Sequence, residues 1–139
     1  MGFDLTGEYA DVSAHFNVWC WHPMWYFCYQ QGWIDEEQYE NGKGNTGFRI
    51  DEETTSILKR EIILFHRLNN FEEIITNVNK EFNEKVRNEI QEGKKRSPEI
   101  VVLQLFGAMK EGEDVYHFTS RHLIDFANFC KNAKTFEIC

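Results

Sequence analysis

Only two prolines, Pro23 and Pro98, punctuate the 139 residues, so no Pro-rich linker divides the chain and it reads as a single globular domain over 1–139. No apolar run approaches the roughly 20 residues that a membrane-spanning helix needs. The opening Met1-Gly2-Phe3-Asp4 places an acid where a secretory signal carries positive charge, which makes the cytoplasm the expected compartment. Basic residues are scarce: 15 Lys and Arg face 23 Asp and Glu, a formal charge of −8 that opposes binding to a phosphate backbone. The single basic run, Lys94-Lys95-Arg96, follows the helix-stopping Gly93 and reads as a solvated loop. Cys20, Cys28, Cys130 and Cys139 form no CxxC pair, and a reducing compartment keeps them as thiols. P-loop, dinucleotide, GxSxG and HExxH patterns are all missing, so no catalytic residue and no cofactor is assigned.

What the chain does have is aromatic side chains, 15% of residues, with all four tryptophans in the first 33 positions. Three of them fall in Val18-Trp19-Cys20-Trp21-His22-Pro23-Met24-Trp25. Such a cluster serves as core or as the wall of a half-wet pocket, because indole rings bury large apolar area while their N–H groups demand polar partners. Asn17, Trp19, Trp21, His22 and Trp25 are the candidate ligand-binding residues. They stand near the start of a helix expected at Pro23, where free backbone N–H groups and the positive dipole end favour an anion, and where an indole offers a stacking face.

His15, Cys20, His22 and Cys28 are metal-ligand types, but their spacing matches no standard zinc pair, and no metal is assigned. Cys20 and His22 are the best available thiol and imidazole for a cysteine enzyme, the least supported of three classes. The loop Gly42-Lys43-Gly44-Asn45-Thr46-Gly47 has the composition of a phosphate cradle without the strand-loop-helix frame. Glu72, Glu73, Glu81, Glu84 and Glu89 alternate with Lys80, Lys85 and Arg87, as on a solvated helical face.

The pattern predicts a mainly α domain of four to five helices, with a small antiparallel sheet made by the two terminal segments. Gly2–Leu5 and Phe136–Ile138 alternate apolar and polar residues as short strands do. With Pro23 at its first turn and Gly32 as its stop, a helix is expected over about 22–31. Asp35-Glu36-Glu37 starts a short turn, and Asp51 caps a helix carrying Ile57, Leu58, Ile62, Phe65 and Leu68. Asn70 and Glu73 read as a capping box for a helix running to Ile90, and Thr119 caps a last helix whose Leu123, Phe126, Ala127 and Cys130 share a face. For residues 98–110 the run is too uniformly apolar for periodicity to separate helix from strand.

The opening MGFD, the segment Asn17-Val18-Trp19-Cys20-Trp21-His22-Pro23-Met24-Trp25 and the ending Phe136-Glu137-Ile138-Cys139 resemble a group of uncharacterised small phage, prophage and bacterial proteins. Members of that group typically begin MGFD, carry a stretch like YFRNNVWWWRPLW and end in a stretch like YPFSEENVKEFAAFVRDSGGFEIC. Tyr116 to Cys139 reads against that ending without a gap, while His15 and His22 stand where the group has arginines. The resemblance implies a phage or prophage context and supplies no mechanism; the Trp/His/Asn segment adds the expectation of a non-enzymatic accessory protein, of counter-defence type, that captures a small planar or anionic ligand such as a nucleotide signal. The alternative is a protein–protein interaction module that presents aromatic anchors and an acidic surface to a host protein.

Overall fold

The computed structural model describes residues 2–9, 11–44, 46–92 and 114–139. The basic run at 94–96 and the undecided segment 98–110 lie outside the described residues. Those residues form β1 (Gly2–Gly7), β2 (Ser13–Asn17), α1 (Val18–Gln30), α2 (Glu36–Gly42), β3 (Phe48–Ile50), α3 (Glu52–Phe65), α4 (Phe71–Glu92), α5 (Ser120–Ala133) and β4 (Phe136–Ile138). The architecture is the expected one, mainly helical with a small antiparallel sheet containing both terminal segments. No described helix is long and apolar enough to cross a membrane.

The sheet order is β2-β1-β4-β3, so the two terminal strands are the central ones and two short strands not anticipated from sequence flank them. β1 pairs β2 with Phe3 opposite Phe16, and pairs β4 with Leu5 opposite Ile138. Alternation assigns the two faces: Phe3, Leu5, Phe16, Ile50, Phe136 and Ile138 are buried, whereas Asp4, Thr6 and His15 are exposed. Against the buried face lie α1 and α5, with α3 packed on α5, and Phe126 meets Phe16, Trp21 and Phe136 edge to face at 6.1, 5.5 and 5.9 Å. Such edge-on contacts add to the burial term because the positive ring edge meets a negative ring face.

Local chemistry starts each helix. Asp35, Asp51 and Thr119 cap α2, α3 and α5, each side chain accepting an N–H of the first turn. In the α5 cap the usual Glu or Gln is replaced by His122, whose Nδ1 accepts the Thr119 N–H at 3.0 Å. α4 begins with the Ile74 N–H on the Asn70 carbonyl. α1 departs from expectation, since it begins at Val18 rather than near Pro23 and places the proline in its interior. It ends as expected at Gly32, whose φ of +79° permits N–H bonds from Gly32 to Tyr29 and from Trp33 to Cys28, closing the last turn.

Pro23 cannot donate to the Trp19 carbonyl four residues earlier, so an interior helical acceptor is left over. The chain fills it from a distance: the His117 N–H reaches Trp19 O at 2.9 Å. The same extended stretch, 115–118, is gripped from the other side by α4. Asn79 exchanges two hydrogen bonds with the Phe118 backbone, at 2.9 and 3.0 Å, and Asn83 does the same with Tyr116, at 2.8 and 3.0 Å. Two buried amides one helical turn apart therefore act as a ladder for a segment that has no strand partner among the described residues.

Candidate functional site

The Trp-rich segment sits on α1 and meets the C-terminal end of α2. A helix ends with carbonyls that have no partner inside it, and here α1 supplies the donors. Trp21 Nε1 donates to Gly42 O at 3.0 Å, Trp25 Nε1 to Tyr39 O at 3.2 Å, and His22 Nε2 to Lys43 O at 3.0 Å. The close approach also explains Gly42, where a Cβ would stand 2.4 Å from Trp25 Nε1. Trp21 and Trp25 stack with ring centroids 5.0 Å apart and are both 0% exposed.

The five candidate residues thus separate into two sets. Trp21 and Trp25 are core rings with their N–H groups satisfied, and His22, 9% exposed, lies between Phe3 and Tyr116 at centroid distances of 5.3 and 6.1 Å. Asn17 is exposed and caps α1, its Oδ1 accepting the Cys20 N–H at 3.0 Å. Trp19 is half-buried, edge-on to Tyr116 at 5.5 Å. Only Asn17 and Trp19 of the five present substantial surface. The anion-favouring first turn expected at Pro23 is displaced to Val18–Cys20, because Asn17, not the proline, begins the helix.

The thiols are held protonated. Burial raises the Cys20, Cys28 and Cys130 pKa values, and for Cys130 the neighbouring Cys28 adds to it. Cys20 Sγ donates to the Asn17 carbonyl at 3.4 Å, and two positions along a helix its side chain and that of His22 diverge. All four cysteines are free. Among the described residues no three His, Cys, Asp or Glu side chains group as a metal site. The glycine loop ends at Gly47, which gives its N–H to Ile138 O at 3.0 Å and so extends the sheet.

A second region, not singled out from sequence, is concave. An open groove of about 810 Å³ runs between α5 and the β1–β2 hairpin, with Tyr9, Asp11 and Val12 on one side and Asp125, Asn128 and Phe129 on the other. Tyr9 is 58% exposed. The sequence held one signal for it: Asp125, Asn128 and Asn132 recur at helical spacing opposite the buried Phe126 and Cys130, a polar stripe beside an apolar floor. Another groove of about 510 Å³, between α1 and α4 and lined by Tyr26, Glu81, Glu84 and Lys85 among others, is more polar.

Comparison of the chain with protein-family models, with curated proteins and with solved structures returns no match.

Proposed function

We propose that this chain is a non-catalytic binding protein, of the phage-accessory type that its terminal segments resemble, and that it acts by holding a partner protein against the surface made by β2 and α5. The observation that carries this reading is the open groove beside the hairpin, where the exposed Tyr9 ring and the apolar floor of Phe129 and Val12 lie within an acidic and amide rim. Exposed aromatics beside apolar pockets are the usual anchors of such interfaces. The reading is tested by native mass spectrometry of the protein recovered from its own cells. A complex heavier than the 16.6 kDa chain is expected, and Tyr9→Ala with Asp125→Lys should return it to the free chain. Recovery of the wild type as the free chain alone overturns the proposal.

A second reading, capture of a planar anionic ligand, is favoured by one observation: the half-exposed Trp19 indole adjoins the Asn17-capped first turn of α1. It uses Asn17 and Trp19, with His22 behind them, and leaves Trp21 and Trp25 as packing. ATP is a suitable probe. Quenching of tryptophan fluorescence that Trp19→Phe removes supports this reading, and unchanged emission across ATP additions disposes of it.

A further inference from the structure

The groove adjoins a strand edge, and the hydrogen-bond parity of that edge follows from the sheet. Gly7 N–H bonds Val12 O at 2.7 Å, so Gly7 and Val12 form a bonded pair of the β1–β2 ladder. Bonded and non-bonded pairs alternate in antiparallel sheets. Leu5 with Ala14 and Phe3 with Phe16 are therefore bonded, whereas Thr6 with Ser13 and Asp4 with His15 are not. The Asp4 backbone confirms the parity, since it exchanges bonds at 2.8 and 2.9 Å with Cys139 on the opposite side. The N–H and C=O groups of Ser13 and His15 consequently point away from the sheet, with no partner among the described residues. Among the described strands β2 is the outermost, and α5 lies along its buried face.

A strand edge flanked by a helix, with a groove between them, is the geometry that accepts one more strand: backbone bonds give affinity, and pockets for alternate side chains give selectivity. We propose that β2 is completed by an extended segment of a partner protein, one that alternates basic and apolar residues and lies in the groove against α5. This rests on the reading of the groove as the binding surface. Along such a segment, alternate side chains fall on the helix side, where Val12, Ala14 and Phe129 form an apolar floor. The charged groups lining the groove, Asp11 and Asp125, are both acidic. Asp125 is paired with Arg121 at 3.2 Å in a partly hydrated contact; with the apolar side chains of the segment turned to the helix its basic side chains lie on the other face, and Asp11 and Asp125 act on them as charges at the rim of the groove, not as direct partners. The net charge of −8 attracts a basic segment and repels a second copy of the chain, which decides between the two occupants that this edge accommodates.

The test uses fluorescein-labelled peptides of about eight residues, enough to span β2, alternating lysine with valine or glutamate with valine. The Lys-Val peptide should bind, more weakly as salt is raised, and the Glu-Val peptide should not. Binding should slow hydrogen exchange at the Ser13 and His15 amides. His15→Pro deletes one outward donor without touching the β1–β2 ladder and should weaken binding about tenfold or more, whereas His15→Ala, which keeps the backbone groups, should leave it nearly unchanged. A Lys-Val peptide that binds through Tyr9 and Asp125 with no exchange protection and no His15→Pro effect overturns strand addition while the groove reading stands. Binding unaffected by Tyr9→Ala and Asp125→Lys overturns both. A dimer in sedimentation that His15→Pro dissociates overturns the assignment of the edge to a partner protein.

Discussion

Asn79→Ala isolates the clamp that α4 places on the returning chain. Asn79 is 7% exposed and Phe118 is 0% exposed, and the amide side chain both accepts the Phe118 N–H and donates to the Phe118 carbonyl. Truncation leaves both backbone groups without those partners in a site largely closed to water. An unsatisfied buried group costs about 1–3 kcal/mol, so the pair predicts a loss of about 2–6 kcal/mol. For a chain of this size the lower bound corresponds to a fall in Tm of about 6 °C or more. Urea unfolding followed by far-ultraviolet circular dichroism reads the change directly. Asn79→Asp adds an internal control with a defined sign. The carboxylate retains an acceptor for the Phe118 N–H but faces the Phe118 carbonyl without a proton to donate, and burial disfavours its charge; both effects raise its folded pKa above the unfolded value of about 3.9. A raised carboxyl pKa means that the folded state holds the proton more tightly, so this variant should recover stability relative to wild type as pH falls from 7 toward 4, where the protonated acid restores both bonds. A loss below about 1 kcal/mol for Asn79→Ala, or a pH-independent deficit for Asn79→Asp, refutes the clamp.

Three further outcomes follow from single contacts. Burial, only partly opposed by Asp125, holds the His122 pKa below its ordinary value, and the neutral Nδ1 is what caps α5; the resulting stability is present above the unfolded pKa of about 6.5 and is lost as pH falls through the folded value, so His122→Gln should flatten the stability profile between about pH 7 and 5. Lys134 has φ 65° and ψ −63°, closing a three-residue turn in which Thr135 N–H bonds Ala133 O at 2.8 Å; Lys134→Gly should relieve that strain and raise Tm by about 2–4 °C in calorimetry, and a decrease would refute the strain. Cys139 donates its thiol proton to Glu137 Oε1 at 2.9 Å, which, with some burial, raises its pKa, so Glu137→Gln should accelerate its reaction with Ellman's reagent at pH 8 while Cys28 and Cys130 stay unreactive until unfolding; an unchanged rate would remove Glu137 as the cause.

The parts of the fold that were legible in the sequence are those fixed by residues close in the chain. Asp51 and Thr119 cap their helices through side chains that reach three residues, and Gly32 ends α1 because its own φ is positive. The terminal strands showed in their alternation. Misjudging the start of α1 has a long-range cause: Pro23 is tolerated inside the helix because the His117 N–H serves the Trp19 carbonyl, and nothing near position 23 announces that partner. Asn79 and Asn83 were not singled out for the same reason, since their partners, the Phe118 and Tyr116 backbones, lie 39 and 33 positions away. The aromatic segment stood out in the sequence, but whether it is core or pocket wall was not legible. Trp21 and Trp25 are buried because carbonyls at the end of α2 accept their N–H groups, and that pairing joins residues 14 to 21 positions apart. The groove went unread because its two walls, around Tyr9 and Asn128, come from opposite ends of the chain.

The order of the sheet also sets a schedule for synthesis. Among the described residues β3 joins the sheet only through β4, and β4, although central, follows every other described element along the chain. While the chain emerges from the ribosome, β1 and β2 can already form a hairpin, but β1 exposes its other edge and β3 has no neighbour until residues 136–138 arrive. The nascent protein therefore waits with two open edges, each shaped for the same missing strand. Anything that stalls translation between residues 51 and 135 prolongs that state, and an edge able to capture β4 can capture a strand of another chain as well.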